Sequence, residues 1–165
     1  MPRRKISDSW LAEYMRWTEK HESPELFHIW TAFTVVAASL GRKVYLVRRS
    51  IKTYPNLYTL FVGPSGVGKT QAMLKGLDIL KASKVPPEMS AQKTSPEALL
   101  EDLDSYTDAI QEGEKVKWVT KPALIFTSEF PVFFGRRGQR EEMANLLTEL
   151  WDCPEGKWEY KILSR

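Results

Sequence analysis

Apolar residues recur along the chain in two rhythms. From residue 8 to 20 the run DSWLAEYMRWTEK sets Trp10, Leu11, Tyr14, Trp17 and Thr18 at helical spacing, with Glu13, Arg16 and Lys20 on the polar side, and predicts a short amphipathic helix. A second helix is predicted from Ser23-Pro24-Glu25, which combines a capping hydroxyl, a proline at the first helical position and an acid in the first turn, with Gly41 as its stop. Apolar residues surround that helix on nearly every side, so it is expected at the centre of an N-terminal helical layer.

The rhythm then changes. Residues 43–47 (KVYLV) and 56–62 (NLYTLFV) are β-rich runs separated by the basic stretch RRSIKTYP, and the second is near-continuous apolar, as a buried parallel strand is. Residues 68–82 place Met73, Leu74, Leu77 and Leu80 on one helical face. A short extended piece, EMSAQ, leads to Thr94-Ser95-Pro96-Glu97, which reads as a capping box with Thr94 and Glu97 at its ends, opening a helix from about Pro96 to Tyr106. Residues 107–121 read as charged and irregular. Ala123–Thr127 is a further β-run ending in Ser128-Glu129, a last helix is expected over Gln139–Trp151 with Met143, Leu146, Leu147 and Leu150 on one side, and WEYKI reads as a final strand. The alternation predicts an α/β fold: a helical segment with a basic strand over 1–52, then a parallel-sheet core over 53–165.

Composition narrows the class. The chain has 165 residues, 42% hydrophobic and 27% charged, with 6 Trp, 6 Tyr and 7 Phe, which excludes disordered and collagen-like chains. The lone Cys153 forms no intramolecular disulfide and MPRRKISDSW holds no apolar signal core, so a reducing, cytoplasmic compartment is expected. Leu26–Gly41, as long as any uncharged run in the chain, falls short of the roughly 18 to 20 apolar residues of a membrane span and is interrupted by His28, Thr31, Thr34 and Ser39. Net charge is +3, yet residues 1–52 carry ten Lys/Arg against five Asp/Glu and residues 53–165 fourteen against sixteen. Basic character is local to the N-terminal third.

The chemistry concentrates in Gly63-Pro64-Ser65-Gly66-Val67-Gly68-Lys69-Thr70, which fits G-x-x-x-x-G-K-[ST] at every fixed position and lies between a predicted strand and a predicted helix. Polyphosphate needs many short donors at once. Glycines let successive backbone N–H groups turn inward, and a helix N-terminus adds partial positive charge. These eight residues with Gln71 form the candidate nucleotide-binding set. Lys69 is expected to reach the β- and γ-phosphates and the Thr70 hydroxyl to take one position on Mg²⁺. Hydrolysis also needs a carboxylate near the tip of a neighbouring strand. Glu129 is the candidate, as catalytic base or metal partner, although Ser128 stands where such ATPases usually place an Asp. Weaker features are Arg136, Arg137 and Arg140, read as an exposed basic turn, and Arg48, Arg49 and Lys52 with Tyr54 and Tyr58, a candidate surface for single strands. His21 and His28 have no Cys or acid at metal-ligand spacing.

The order WLAEYMRWTEKHESPELFHIWTAFTVVAASLGRKVYL, YPNLYTLFVGPSGVGKT, TSPEALLEDL, LIFTSEF and TELWDCPEGKWEY resembles the YfjI-like family of phage and mobile-element P-loop ATPases, itself similar to the helicase part of primase-helicase replication proteins. The resemblance implies a RecA/AAA+-like core acting on single-stranded or forked DNA as an oligomeric ring or filament. It maps Gly63, Gly68, Lys69 and Thr70 onto the first motif and Glu129 onto the acidic position after the third core strand. No residue matches a sensor or an arginine finger, so an N-terminal fragment with an incomplete core, an open sheet edge and weak turnover is expected. ATP is expected over GTP because no N/T-K-x-D motif is present. Two other readings stay open: a small P-loop kinase using FFGRRGQR as a lid, and a module that binds ATP without turnover, favoured by Ser128.

Overall fold

Ser9 starts the first helix as its sequence type suggests, its Oγ accepting the Ala12 N–H at 3.2 Å, and α1 runs over Trp10–Thr18. The computed structural model of the chain describes residues 9–84, 86–90, 95–112, 115–120, 123–135 and 138–153, with the backbone alone over 107–112 and 115–120. The predicted WEYKI strand, Thr94, Arg136 and Arg137 lie outside the described residues. The chain divides into two units, Met1–Leu40 with Leu57–Pro86, and Gly41–Asn56 with Pro87–Arg165.

In the first unit α2 (Glu25–Leu40) packs on α3 (Lys69–Ala82). The contact is close at Gly76, where a Cβ would stand 2.5 Å from Thr31 Cγ2 and 3.1 Å from Val35 Cγ2. The buried face of α3 is therefore Ala72, Gly76, Leu77 and Leu80, whereas Leu74, predicted inward, is exposed. The expected burial of α2 on nearly every side is also corrected. Its inner face is the small and polar one, His28, Thr31, Ala32 and Val35, while Leu26, Trp30, Phe33 and Val36 are exposed. Small side chains let two helix backbones approach; bulky apolar ones would hold them apart. Helix α2 ends at Leu40 with Gly41 at φ 50°, the left-handed stop that its sequence predicts.

Helix α1 is joined to α2 by rings. Tyr14 is buried, its hydroxyl 3.4 Å from His28 Nδ1; Trp10 stacks on Tyr14 with centroids 5.4 Å apart, and His21 and His28 lie 5.8 Å apart. Loss of solvent pushes the Tyr14 phenol up to about 12. It also lowers the His28 imidazole, with the nearby His21 charge adding in the same direction.

Residues 57–62 follow a strand's rhythm without a strand's partner. Leu57, Thr59 and Phe61 are half-buried and alternate with exposed Tyr58, Leu60 and Val62. Thr59 hydrogen-bonds Thr34 at 2.9 Å, and Phe61 stacks on Phe27 at 4.9 Å, so the inward set lies along α2. The predicted strand over 56–62 belongs to no sheet among the described residues, because extended backbone becomes a strand only when its N–H and C=O groups meet a ladder.

Among the described residues the second unit holds three two-stranded sheets. Strands β1 (Leu46–Arg48) and β2 (Ile51–Thr53) form an antiparallel hairpin, and β3 (Glu88–Ser90) pairs in parallel with β6 (Ala123–Ile125), Met89 opposite Leu124. Between β3 and β6 the chain makes α4 (Pro96–Ser105) and an antiparallel hairpin of β4 (Thr107–Glu112) and β5 (Lys115–Thr120). That hairpin corrects the irregular reading of 107–121. The cap of α4 is Ser95, whose Oγ accepts the Ala98 N–H at 3.2 Å. Glu97 hydrogen-bonds back to Ser95, a bond that lowers its carboxyl below the usual range. The Ser90 hydroxyl donates to Asp102 at 2.6 Å, fixing β3 to α4. After the short α5 (Phe130–Phe133), α6 (Arg140–Trp151) brings Met143 and Leu146 onto Leu99 and Phe133, which form a buried cluster. No helix among the described residues is long and apolar enough to cross a membrane.

Candidate functional site

The glycine pattern of residues 63–70 becomes a closed loop in the first unit. Gly66 has φ 80° and Gly68 φ 84°, backbone positions where a side chain is strained, so glycine at these two sites follows from conformation. Gly68 is also the cap of α3, its carbonyl accepting the Ala72 N–H at 3.0 Å. No side chain caps the helix, so the N–H groups of Lys69, Thr70 and Gln71 at its first three positions have no intrahelical acceptor. The loop is largely exposed, with Thr70 and Gln71 open to solvent.

Lys69 folds back across this loop. Its Nζ donates to the carbonyls of Gly63 and of Pro64, each at 2.7 Å, which holds the ammonium over the bend of the backbone. An ammonium has three hydrogens, and these contacts use two. The remaining donor, three helix-start N–H groups and the partial positive charge of α3 all belong to the N-terminal end of that helix. Its chemistry fits a phosphate chain. The residues fit Mg²⁺ as well, since that ion is ordinarily held by one or two protein oxygens together with phosphate oxygens and water, and Thr70 offers an exposed hydroxyl at the second helical position.

Ser23 completes the loop from the outside. It is buried in the turn between α1 and α2, and its Oγ donates to the Gly68 carbonyl at 2.9 Å. A Cβ on Gly68 would stand 2.5 Å from that Oγ and 3.0 Å from Ser23 Cα. The carbonyl of Gly68 and the N–H of Lys69 share one planar peptide and point in opposite directions. The Gly68 carbonyl is held from two sides, by the Ser23 hydroxyl and by the Ala72 N–H, and the Lys69 N–H of the same peptide is fixed with it. The sequence reading of Ser23 as a helix cap is thus corrected: its hydroxyl is engaged by a backbone group 45 residues on, and no local pattern announces that bond.

Glu129 stands in the second unit, so the structure gathers Gly63–Gln71 in one unit and the candidate acid in the other. The strand before Glu129 ends at Ile125, two residues earlier than predicted. Thr127 Oγ1 accepts the Glu129 N–H at 3.4 Å, and the Glu129 carbonyl takes the first hydrogen bonds of α5, from Val132 and Phe133. Glu129 and Ser128 are both exposed. Arg140 is exposed at the start of α6. Among the described residues no group of three or more His, Cys, Asp or Glu is gathered at metal-binding spacing. No family model, curated protein or solved structure matches the chain.

Proposed function

We propose that the chain binds a nucleoside triphosphate, ATP, through the loop Gly63–Thr70, and that it is a P-loop NTPase. The observation that carries this reading is the Lys69 ammonium held over a loop whose two left-handed glycines lead into the uncapped start of α3. In this reading the N–H groups of Gly68, Lys69, Thr70 and Gln71 take phosphate oxygens, and Lys69 neutralises charge on the β- and γ-phosphates. Thr70 would help to hold Mg²⁺, which when bound would supply positive charge to the phosphate chain. Glu129 is assigned to the attacking water or the metal. The fold that goes with this function is an α/β P-loop core with a parallel sheet. The resemblance to replication-associated ATPases supports DNA as the polymer on which an oligomer of the chain acts.

Lys69→Ala is expected to abolish ATP binding, measured by calorimetry with Mg²⁺ present; binding at the native affinity would overturn the assignment. Glu129→Gln is expected to keep binding and lose hydrolysis. A second reading, an ATP-binding module without turnover, draws on Ser128 in the usual Asp place, an exposed side chain that itself brings no charge. A native chain that binds ATP tightly and releases no phosphate, with or without single-stranded DNA, would select it.

A further inference from the structure

The hairpin of β1 and β2 is the feature that the loop chemistry leaves unexplained. Residues 41–56 carry five cations, Arg42, Lys43, Arg48, Arg49 and Lys52, and no acid. Every residue of both strands is exposed, Ile51 at 68% and Leu46 at 61%. A two-stranded ribbon exposed on both faces contributes little to any core and is marginal by itself. It is nevertheless well anchored. Arg42 donates to the Cys153 carbonyl at 3.1 Å and covers the Tyr54 ring at 4.8 Å, while Asn56 donates to the Trp151 carbonyl at 2.5 Å. Both roots of the hairpin are thus fastened to the carbonyl end of α6, where cations and donors are favoured.

The tip repeats the same point through strain. Arg48 pairs with Ile51, so Arg49 and Ser50 form a two-residue turn, and Arg49 sits at φ 58°. A left-handed residue at such a turn is normally Gly, Asn or Asp, and a larger side chain there costs about 1 kcal/mol. An arginine stands where a less strained residue would serve the turn. On one face Lys52 lies 5.4 Å over the ring of Tyr45, which is 5.8 Å from Tyr54; Arg48 alternates to the other face, beside Leu46 and Ile51.

We propose that this hairpin is a nucleic-acid contact, in which Arg48, Arg49 and Lys52 take backbone phosphates and the apolar and tyrosine side chains of the two faces lie against bases of a single strand. Five cations without an acid complement a polyanion, and binding through phosphates is independent of base sequence and steeply salt-dependent. The inference gives a surface to the polymer partner proposed above and rests on that reading; it does not need the nucleotide site, so loss of ATP binding and loss of strand binding are separable.

The test is fluorescence anisotropy with a labelled mixed-sequence single strand of about 20 nucleotides, at several salt concentrations, on the full chain. Arg48→Gln with Arg49→Asn is expected to weaken binding about twentyfold near 0.1 M salt and to flatten the slope of log affinity against log salt by about 1.4, two contacts at roughly 0.7 each. Arg49→Asn alone is expected to leave the melting temperature unchanged or raised while lowering affinity, so lost binding is separable from lost folding. Lys81→Gln with Lys84→Gln, an equal loss of charge at exposed positions of the first unit, is expected to change affinity less than twofold. Equal losses in the two double variants would overturn the proposal. So would native binding by Arg48→Gln/Arg49→Asn, or hairpin-dependent binding to anionic lipid vesicles with none to the oligonucleotide.

Discussion

The Ser23–Gly68 bond shows how a single hydroxyl can matter to a loop that it does not belong to. Removing it in Ser23→Ala leaves the Gly68 carbonyl its helical bond from Ala72 but frees the peptide plane on one side. The expected cost is about 1 kcal/mol, close to a fivefold loss of nucleotide affinity by calorimetry. Gly68→Ala is expected to be worse, because the φ of 84° and the 2.5 Å approach to Ser23 act together; binding should vanish and melting temperature fall. The glycines and Lys69 were legible because each answers to a local rule of backbone geometry or phosphate chemistry. Ser23 was not, because its partner is set by tertiary approach. The capping of α4 by Ser95, one residue after the Thr94 at which the sequence reading begins its capping box, is a smaller case: both residue types can cap, and Pro96 at the first helical position favours its immediate neighbour.

At the scale of elements, the approach of α2 to α3 reverses an ordinary expectation. Gly→Ala inside a helix usually stabilises by roughly 0.5 to 1 kcal/mol, but at Gly76 the added carbon meets Thr31 and Val35, and overpacking of this kind costs about 1 to 3 kcal/mol. Gly76→Ala should therefore lower the melting temperature. The α1–α2 pair carries a pH dependence as well. His28 is held below its ordinary range, so the fold accepts its neutral form. Stability is whole above about pH 6.5 and declines as pH falls below that value, where the unfolded chain takes the proton first. Denaturant titrations at pH 5 and 7 should show this slope, and His28→Gln should flatten it. Helix positions were legible from periodicity, since most helices lie within two residues of their predicted ends. The faces of α2 and α3 were not. Hydrophobicity assigns the bulky side inward, whereas close backbone packing selects the small side.

Across the whole molecule, each of the two units buries residues of its own, and the basic hairpin belongs to the second. Leu146 is fully buried with Leu99, Met143 and Phe133, and Leu146→Ala is expected to cost about 2 to 5 kcal/mol by chemical denaturation followed by circular dichroism. The charge imbalance of the N-terminal third was visible from counting alone, but counting could not show that Arg48, Arg49 and Lys52 share one hairpin whose root Arg42 anchors. The turn that holds Ser23 lies between two helices adjacent in sequence, so it is made of local contacts and can form early. The loop that it shapes must wait for a closure 45 residues long. The order of events expected from this is a mould and a casting: the helical pair forms first, and the phosphate loop closes against it.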